Sequence, residues 1–294
     1  MTTATSSGLS RFYFDRDRLM ALADRTREAY ASAQPFPHAV IDDFVSADAL
    51  DEVLAEFPAP HQADWHAFNS PLERKLATKD DSAMGEATRH LLAEFNSATF
   101  IDFLERLTGI EGLVPDPHFI GGGLHQIERG GHLKIHADFN CHPRTGLERR
   151  LNTLLYLNRG WTEEYGGALE LWSRDMRRCE AKILPLFNRC IVFSTTETSF
   201  HGHPEPLNCP AEVTRKSIAL YYYSGAGQLK TGSEHNTLFQ ARPGEQLQEE
   251  QLPDSGKHER EVVQARLKQT IRQIAPPIAI DAARTLRSRW RQRG

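Results

Sequence analysis

The sequence predicts a mainly β protein with flanking helices, and three observations lead to that expectation. Short apolar runs recur between about residues 119 and 224, separated by Gly, Pro and Asn turns. Nothing in that stretch alternates strands with helical periods, which argues against a doubly wound sheet. Helical patterns instead gather before it and after it. The expected architecture is therefore a central sandwich or barrel with a helical lead-in and a helical tail.

Taken in order, residues 1–10 are small and polar and read as mobile. Residues 15–33, rich in Arg, Ala, Leu and Glu, predict a helix. Pro35 and Pro37 break it, and Ala39-Val40-Ile41 follows as a short strand. Ser46 is an N-cap for a second helix, whose apolar residues Leu50, Val53, Leu54 and Phe57 recur three and four apart. Pro58 stops that helix, and residues 58–83, polar and without period, read as loop. Helices at 86–95 and 99–107 bury Leu91, Leu92 and Phe95, then Phe103, Leu104 and Leu107. Strands are expected at 123–127, 133–136, 151–157, 168–172, 190–194 and 217–223. A further helix at 259–274 ends at Pro276-Pro277, and a short basic helix reaches Arg291. The resulting division is a helical lead-in over 1–115, a core over 116–228 and a polar, basic C-terminal segment over 229–294.

Composition narrows the class. The 294 residues suffice for a substantial core; 39% are hydrophobic, 25% are charged, and the net charge is −4. Neither nucleic acid nor a membrane surface is indicated by that balance. From residue 257 onward ten Lys and Arg face three Asp and Glu, a basic excess that reads as a solvated helix face. Cys141, Cys179, Cys190 and Cys209 form no CxxC pair and are too sparse for a disulfide scaffold. There is no charged-then-apolar leader and no apolar run near the roughly 20 residues that span a bilayer. A reducing compartment, by default the cytoplasm, is the expectation. The oligomeric state is not readable.

The residues that suggest chemistry begin with His136-Ala137-Asp138. In a strand, positions i and i+2 share a face, so both side chains can converge on one ion. A third ligand would come from Ser199-Phe200-His201-Gly202-His203-Pro204, where His201 and His203 are both available. Two imidazoles and one carboxylate form the facial triad suited to non-haem Fe(II), whereas structural zinc would take four protein ligands. With 13 histidines, a His-x-Asp alone is a weak signal. Arg215, opening the run Lys216-Ser217-Ile218-Ala219-Leu220-Tyr221-Tyr222-Tyr223, strengthens it, because a buried guanidinium keeps its charge and can grip a carboxylate through two donors. Lys216 competes for that role, but strand alternation puts it on the opposite face.

These blocks resemble the prolyl-hydroxylase-like branch of the 2-oxoglutarate/Fe(II) oxygenases, which includes bacterial proline hydroxylases. The matching stretches are Gly121-Gly122-Gly123-Leu124-His125-Gln126, His136-Ala137-Asp138-Phe139-Asn140, Leu151-Asn152-Thr153-Leu154-Leu155-Tyr156-Leu157-Asn158 and Gly166-Gly167-Ala168-Leu169-Glu170-Leu171-Trp172, followed by the segments around His201 and Arg215. The resemblance covers about a third of the chain and implies a double-stranded β-helix (jelly roll) core. It makes His136, Asp138 and His201 the iron ligands and Arg215 the anchor for 2-oxoglutarate, and it favours His201 over His203. Tyr156 falls where relatives place a donor to the same carboxylate, although a core aromatic is an equal reading. Gln126 stands where relatives carry a pocket tyrosine. Asn152 reads as a plain strand position, with a pocket-facing role as its alternative, and His125, His132 and His142 read as surface or supporting residues. The implied cofactors are Fe(II) and 2-oxoglutarate, with ascorbate as an accessory reductant and O2 as co-substrate. The implied reaction is hydroxylation of an unactivated C–H bond, with release of succinate and CO2, on a small-molecule or peptidyl substrate such as a prolyl residue or a free amino acid. An intact Asp138 favours hydroxylation over halogenation. Residues 141–150 and 61–83 are candidate substrate loops. A cupin-like metalloprotein without keto acid, and a catalytically silent jelly-roll binding module, remain alternatives.

Overall fold

In the computed structural model, which describes residues 12–225 and 234–247, Asp15 accepts a hydrogen bond from the Arg18 amide at 2.7 Å and starts α1 (Arg16–Ser32). Strand β1 (His38–Ile41) follows, then α2 (Ala47–Ala55). Ser46 does sit at the N-cap of α2, yet its side chain makes no capping bond. Glu56, just past α2, instead accepts from the Ala87 and Thr88 amides and caps α3 (Glu86–Phe95). Helix α4 (Ala98–Thr108) runs from a Ser97 cap to Gly109, whose φ of 72° closes the last turn. The expected helices at 1–115 are thus all present. Those expected beyond residue 247, and the mobile lead at residues 1–10, lie outside the described residues.

The sheet is antiparallel throughout. Its strands are β2 (His66–Asn69), β3 (Glu73–Ala77), β4 (Val114–Pro115), β5 (Gly123–Ile127), β6 (His132–Ala137), β7 (Glu148–Tyr156), β8 (Leu169–Trp172), β9 (Cys179–Ile183), β10 (Cys190–Ser194), β11 (His201–His203), β12 (Arg215–Ser224) and β13 (Leu238–Phe239). The eight consecutive strands β5 to β12 sort into two groups of four, ordered β5-β12-β7-β10 and β6-β11-β8-β9. Apart from the β8–β9 hairpin, successive strands switch from one group to the other, which is the jelly-roll connection. Strand β1 extends the first group beyond β10, and β3 bridges the groups by pairing with both β5 and β6.

The first sheet has two differently used faces. Ile218, Leu220 and Tyr222 of β12, with Leu151 and Leu155 of β7, join the helical core built on Phe14, Phe44, Phe95, Phe100 and Phe103. The Tyr222 ring lies 5.9 Å from Phe100, and its hydroxyl donates to the Phe95 carbonyl at 3.0 Å. The alternate residues of the same strands, Arg215 and Tyr156 among them, therefore face the barrel interior. Burying one face against helices is what delivers the polar set to the other.

Six strands depart from expectation: β2, β3, β4, β9, β11 and β13. Residues 58–83, read as loop, contain the β2–β3 hairpin, which is held by backbone pairing and whose side chains are largely exposed or half-buried. Strand β9 lies at the end of the sheet with only Ile183 buried, and β11 is three residues long. None of β2, β3, β9 and β11 carries the apolar period by which a strand is read from sequence. Among the described residues, no helix is long and apolar enough to cross a membrane.

Candidate active site

Strand pairing assembles the triad. His136 on β6 and His201 on β11 are direct register partners, with ring centroids 4.5 Å apart. Asp138 follows His136 by two positions on the same face. His136 Nε2 lies 3.6 Å from Asp138 Oδ1, and His201 Nε2 lies 3.4 Å from Oδ2. The three potential ligand atoms all fall within 4.8 Å of one another. Both imidazoles are oriented from behind: Nδ1 of His136 bonds the Lys134 carbonyl, and Nδ1 of His201 bonds the Ser199 carbonyl, each at 2.9 Å. With Nδ1–H donating there, the Nε2 lone pairs are left facing the carboxylate.

Electrostatics suits a cation. Burial pushes the His201 imidazole down to about 4, so it is neutral and able to ligate at physiological pH. Burial by itself would raise the Asp138 carboxyl, but the Arg149 guanidinium and both imidazoles outweigh it and hold it well below the usual carboxylate range. Two imidazole nitrogens and one carboxylate, pre-oriented on one side of a gap, fit a first-row divalent metal with open positions. His203 is not part of the group. It points into the interior with neither ring nitrogen hydrogen-bonded, and burial followed by the nearby Arg215 charge keeps it neutral.

Deeper in the interior, Arg215 is 4% exposed and Tyr156 1%. Arg215 Nε donates to the Gly167 carbonyl at 2.8 Å, and Nη2 donates to the Tyr156 hydroxyl at 3.1 Å. Lys216 faces the other way, as alternation requires, donating to Thr214 Oγ1 at 2.7 Å. Gln126 needs correcting on the same ground. It pairs in register with Lys216, not Arg215, and its amide bonds the Pro58 carbonyl and the Thr214 hydroxyl on the helix side. Its neighbour His125, opposite Ser217, takes the interior face, and its buried Nε2 has no partner.

Asn152 is more than a strand position, because its Nδ2 donates to Asp138 Oδ2 at 2.7 Å. Arg149, unmarked in the sequence, donates to Asn152 Oδ1 through Nε and Nη2 and approaches Asp138 Oδ2 at 3.2 Å. His142 is structural: its Nδ1 accepts from the Arg144 and Thr145 amides. His132 bonds the Pro71 carbonyl and ties down the β2–β3 hairpin.

Jelly roll and His-Asp-His group together suit a non-haem metal centre with open coordination positions. Residues 122–223 match the sequence model of the 2OG-Fe(II) oxygenase superfamily. Among curated proteins it is similar to prolyl 3-hydroxylase OGFOD1 of Mus musculus, 27% identical over 64% of this chain and 33% of that protein. It is also similar to prolyl 3-hydroxylase OGFOD1 of Xenopus laevis, 26% identical over 59% of this chain and 32% of that protein. The chain thus spans about a third of the length of these relatives. Among solved structures, a Trichoplax adhaerens prolyl hydroxylase in complex with a hypoxia-inducible-factor peptide covers 71% of this chain and 91% of its own, with 17% identity and a TM-score of 0.49.

Proposed function

We propose that the chain hydroxylates an unactivated C–H bond of a prolyl residue, in a peptide or as the free amino acid, using Fe(II), 2-oxoglutarate and O2. The observation that carries this reading is the pairing of one convergent His136-Asp138-His201 group with a buried guanidinium, Arg215, inside the same barrel. In it, His136, Asp138 and His201 would hold the metal, and Arg215 with Tyr156 would receive the distal carboxylate of 2-oxoglutarate. The bound metal would activate O2 as the oxidant, with 2-oxoglutarate giving up two electrons on its conversion to succinate and CO2 and the C–H bond the other two, so that one oxygen atom enters each product.

The protein's own residues do the rest. Ser199 and Lys134 carbonyls hold the imidazoles by Nδ1, which sets the ring orientation in advance of metal loading. Arg215 remains charged at its depth and offers a directional grip that a lysine could not reproduce. Packing of Phe193 and Phe239 against the two histidines at 4.8 and 5.5 Å excludes water from their backs. The β2–β3 hairpin and residues 141–147 are the walls we assign to substrate. The names of the mouse and frog relatives support a prolyl substrate. Ascorbate would serve as an accessory reductant, and the cytoplasm as the compartment.

The test is incubation with Fe(II), 2-oxoglutarate, ascorbate and proline-containing peptides or free proline, reading succinate and a product heavier by one oxygen atom. Succinate and oxygenated product, both lost in His136→Ala and Arg215→Ala, are expected. A metal-dependent activity indifferent to 2-oxoglutarate would favour a cupin-like protein instead, and absence of metal binding would favour a silent binding module.

A further inference from the structure

Arg149 and Asn152 stand three apart on β7, a spacing that in a regular strand puts two side chains on opposite faces. Here they act on the same atom. The reason is a β-bulge: Tyr222 pairs with Leu151 but Tyr223 pairs with Arg149, so Arg150 is an extra residue that shifts the alternation. The shift turns the Arg149 side chain into the barrel, where it is 2% exposed. Its guanidinium carbon lies 3.4 Å from the Tyr221 ring centroid and 4.5 Å from that of Phe139. From that slot Nε and Nη2 donate to Asn152 Oδ1 at 2.9 and 2.6 Å. Those bonds set the amide so that Nδ2 points at Asp138 Oδ2, 2.7 Å away, while Arg149 Nη2 adds a second contact to the same oxygen at 3.2 Å.

Both donors fall on Oδ2. We propose that Arg149 and Asn152 are positioning residues which restrict Asp138 to a single metal-binding oxygen, Oδ1. The proposal rests on the oxygenase reading above and deepens it. A facial triad works because three ligand positions stay open, two for a chelating keto acid and one for O2. A carboxylate that used both oxygens would occupy one of those positions and compete with 2-oxoglutarate. Clamping Oδ2 from behind with an amide and a guanidinium removes that option. The clamp is a distinct role from holding the cosubstrate's far carboxylate, since it is built on β7 near the metal group, away from Arg215.

The experiment uses the full chain and Co(II) as the probe metal. Wild type, Asn152→Leu, Asn152→Ser and Arg149→Lys are titrated with Co(II), then with 2-oxoglutarate, and each is checked by thermal melting. The expected result is retained Co(II) binding, a changed Co(II) ligand-field spectrum before cosubstrate is added, and 2-oxoglutarate affinity weakened about 10–100-fold. Arg149→Lys, which keeps a cation but loses the planar fork, should shift in the same direction. Wild-type spectra and 2-oxoglutarate affinity in every folded variant would overturn the clamp alone, as would Co(II) and 2-oxoglutarate affinities falling in parallel with melting temperature. Failure of the wild type to bind either probe would instead overturn the oxygenase reading, and the clamp with it.

Discussion

Arg215 and Tyr156 meet inside the barrel from adjacent strands, guanidinium Nη2 donating to the phenol oxygen at 3.1 Å while Nε is anchored on the Gly167 carbonyl. The register that allows it places Tyr156 opposite Ser217, two residues beyond Arg215 on the same face of β12. Buried this deeply, the cation has been stripped of most of its water.

Removing one partner at a time separates their contributions. Tyr156→Phe loses a neutral donor, worth about 1 kcal/mol, and should weaken 2-oxoglutarate binding by several-fold. Arg215→Met loses charge-assisted bonds and should weaken it by roughly 10–100-fold, at about 1.5–3 kcal/mol. Metal affinity should be unchanged in both. Titration of the metal-loaded protein with 2-oxoglutarate reads the two losses, and a separate metal titration of each variant reads the third quantity.

The two histidines of β11 should behave differently. His201→Ala removes one of three ligands and should abolish stoichiometric Fe(II) or Co(II) binding. His203→Ala leaves the group intact and should bind metal like the wild type. Equilibrium dialysis decides, and equal loss in both variants would contradict the assignment of His201.

Gly167→Ala should disturb Arg215 from the backbone side. The residue has φ +70°, and an added Cβ would come within 2.6 Å of Leu207 Cδ2 and 3.0 Å of Arg215 Cδ. The left-handed conformation alone costs an alanine about 1–2 kcal/mol, before any clash. The expected outcome is a lowered melting temperature together with a weakened 2-oxoglutarate affinity, whereas Gly244→Ala, where φ is +81° and space is open, should lower only the first.

Glu245 gives an acid-side prediction. It accepts from Lys134 Nζ at 2.6 Å and from Arg242 Nε at 3.1 Å, binding the segment around β13 to β6. Partial burial would raise its carboxyl, but the two cations win and bring it from 4.5 to about 2. A depressed carboxyl stabilises the fold fully above its unfolded value and loses that contribution as pH falls from about 4.5 through 2. With the side chain 18% exposed, screening reduces the effect to the order of 1 kcal/mol. Glu245→Gln should therefore be less stable than wild type by that amount at neutral pH, and the two should converge towards pH 2, as followed by urea unfolding.

Much of this was legible without coordinates where a period of two or of 3.6 reports the buried face. Leu91, Leu92 and Phe95 on α3, and the opposition of Arg215 to Lys216 on β12, follow from spacing alone. Gln126 was misassigned because counting back from His136 ignores which face of β5 a position takes. Register with β12 gives the interior to His125 instead. The β2–β3 hairpin escaped notice because its backbone pairs while its side chains stay polar.

The chain's own order of residues determined the helices, the main strands and the His-x-Asp pair, since each depends on contacts within a few positions. Tertiary structure decided which distant strands lie side by side, bringing His201 against His136 and Tyr156 against Arg215. It also decided the fate of Arg149, whose direction is set by a bulge that exists only when β7 pairs with β12. Pairing energies are summed across strands, so no local stretch of sequence contains them.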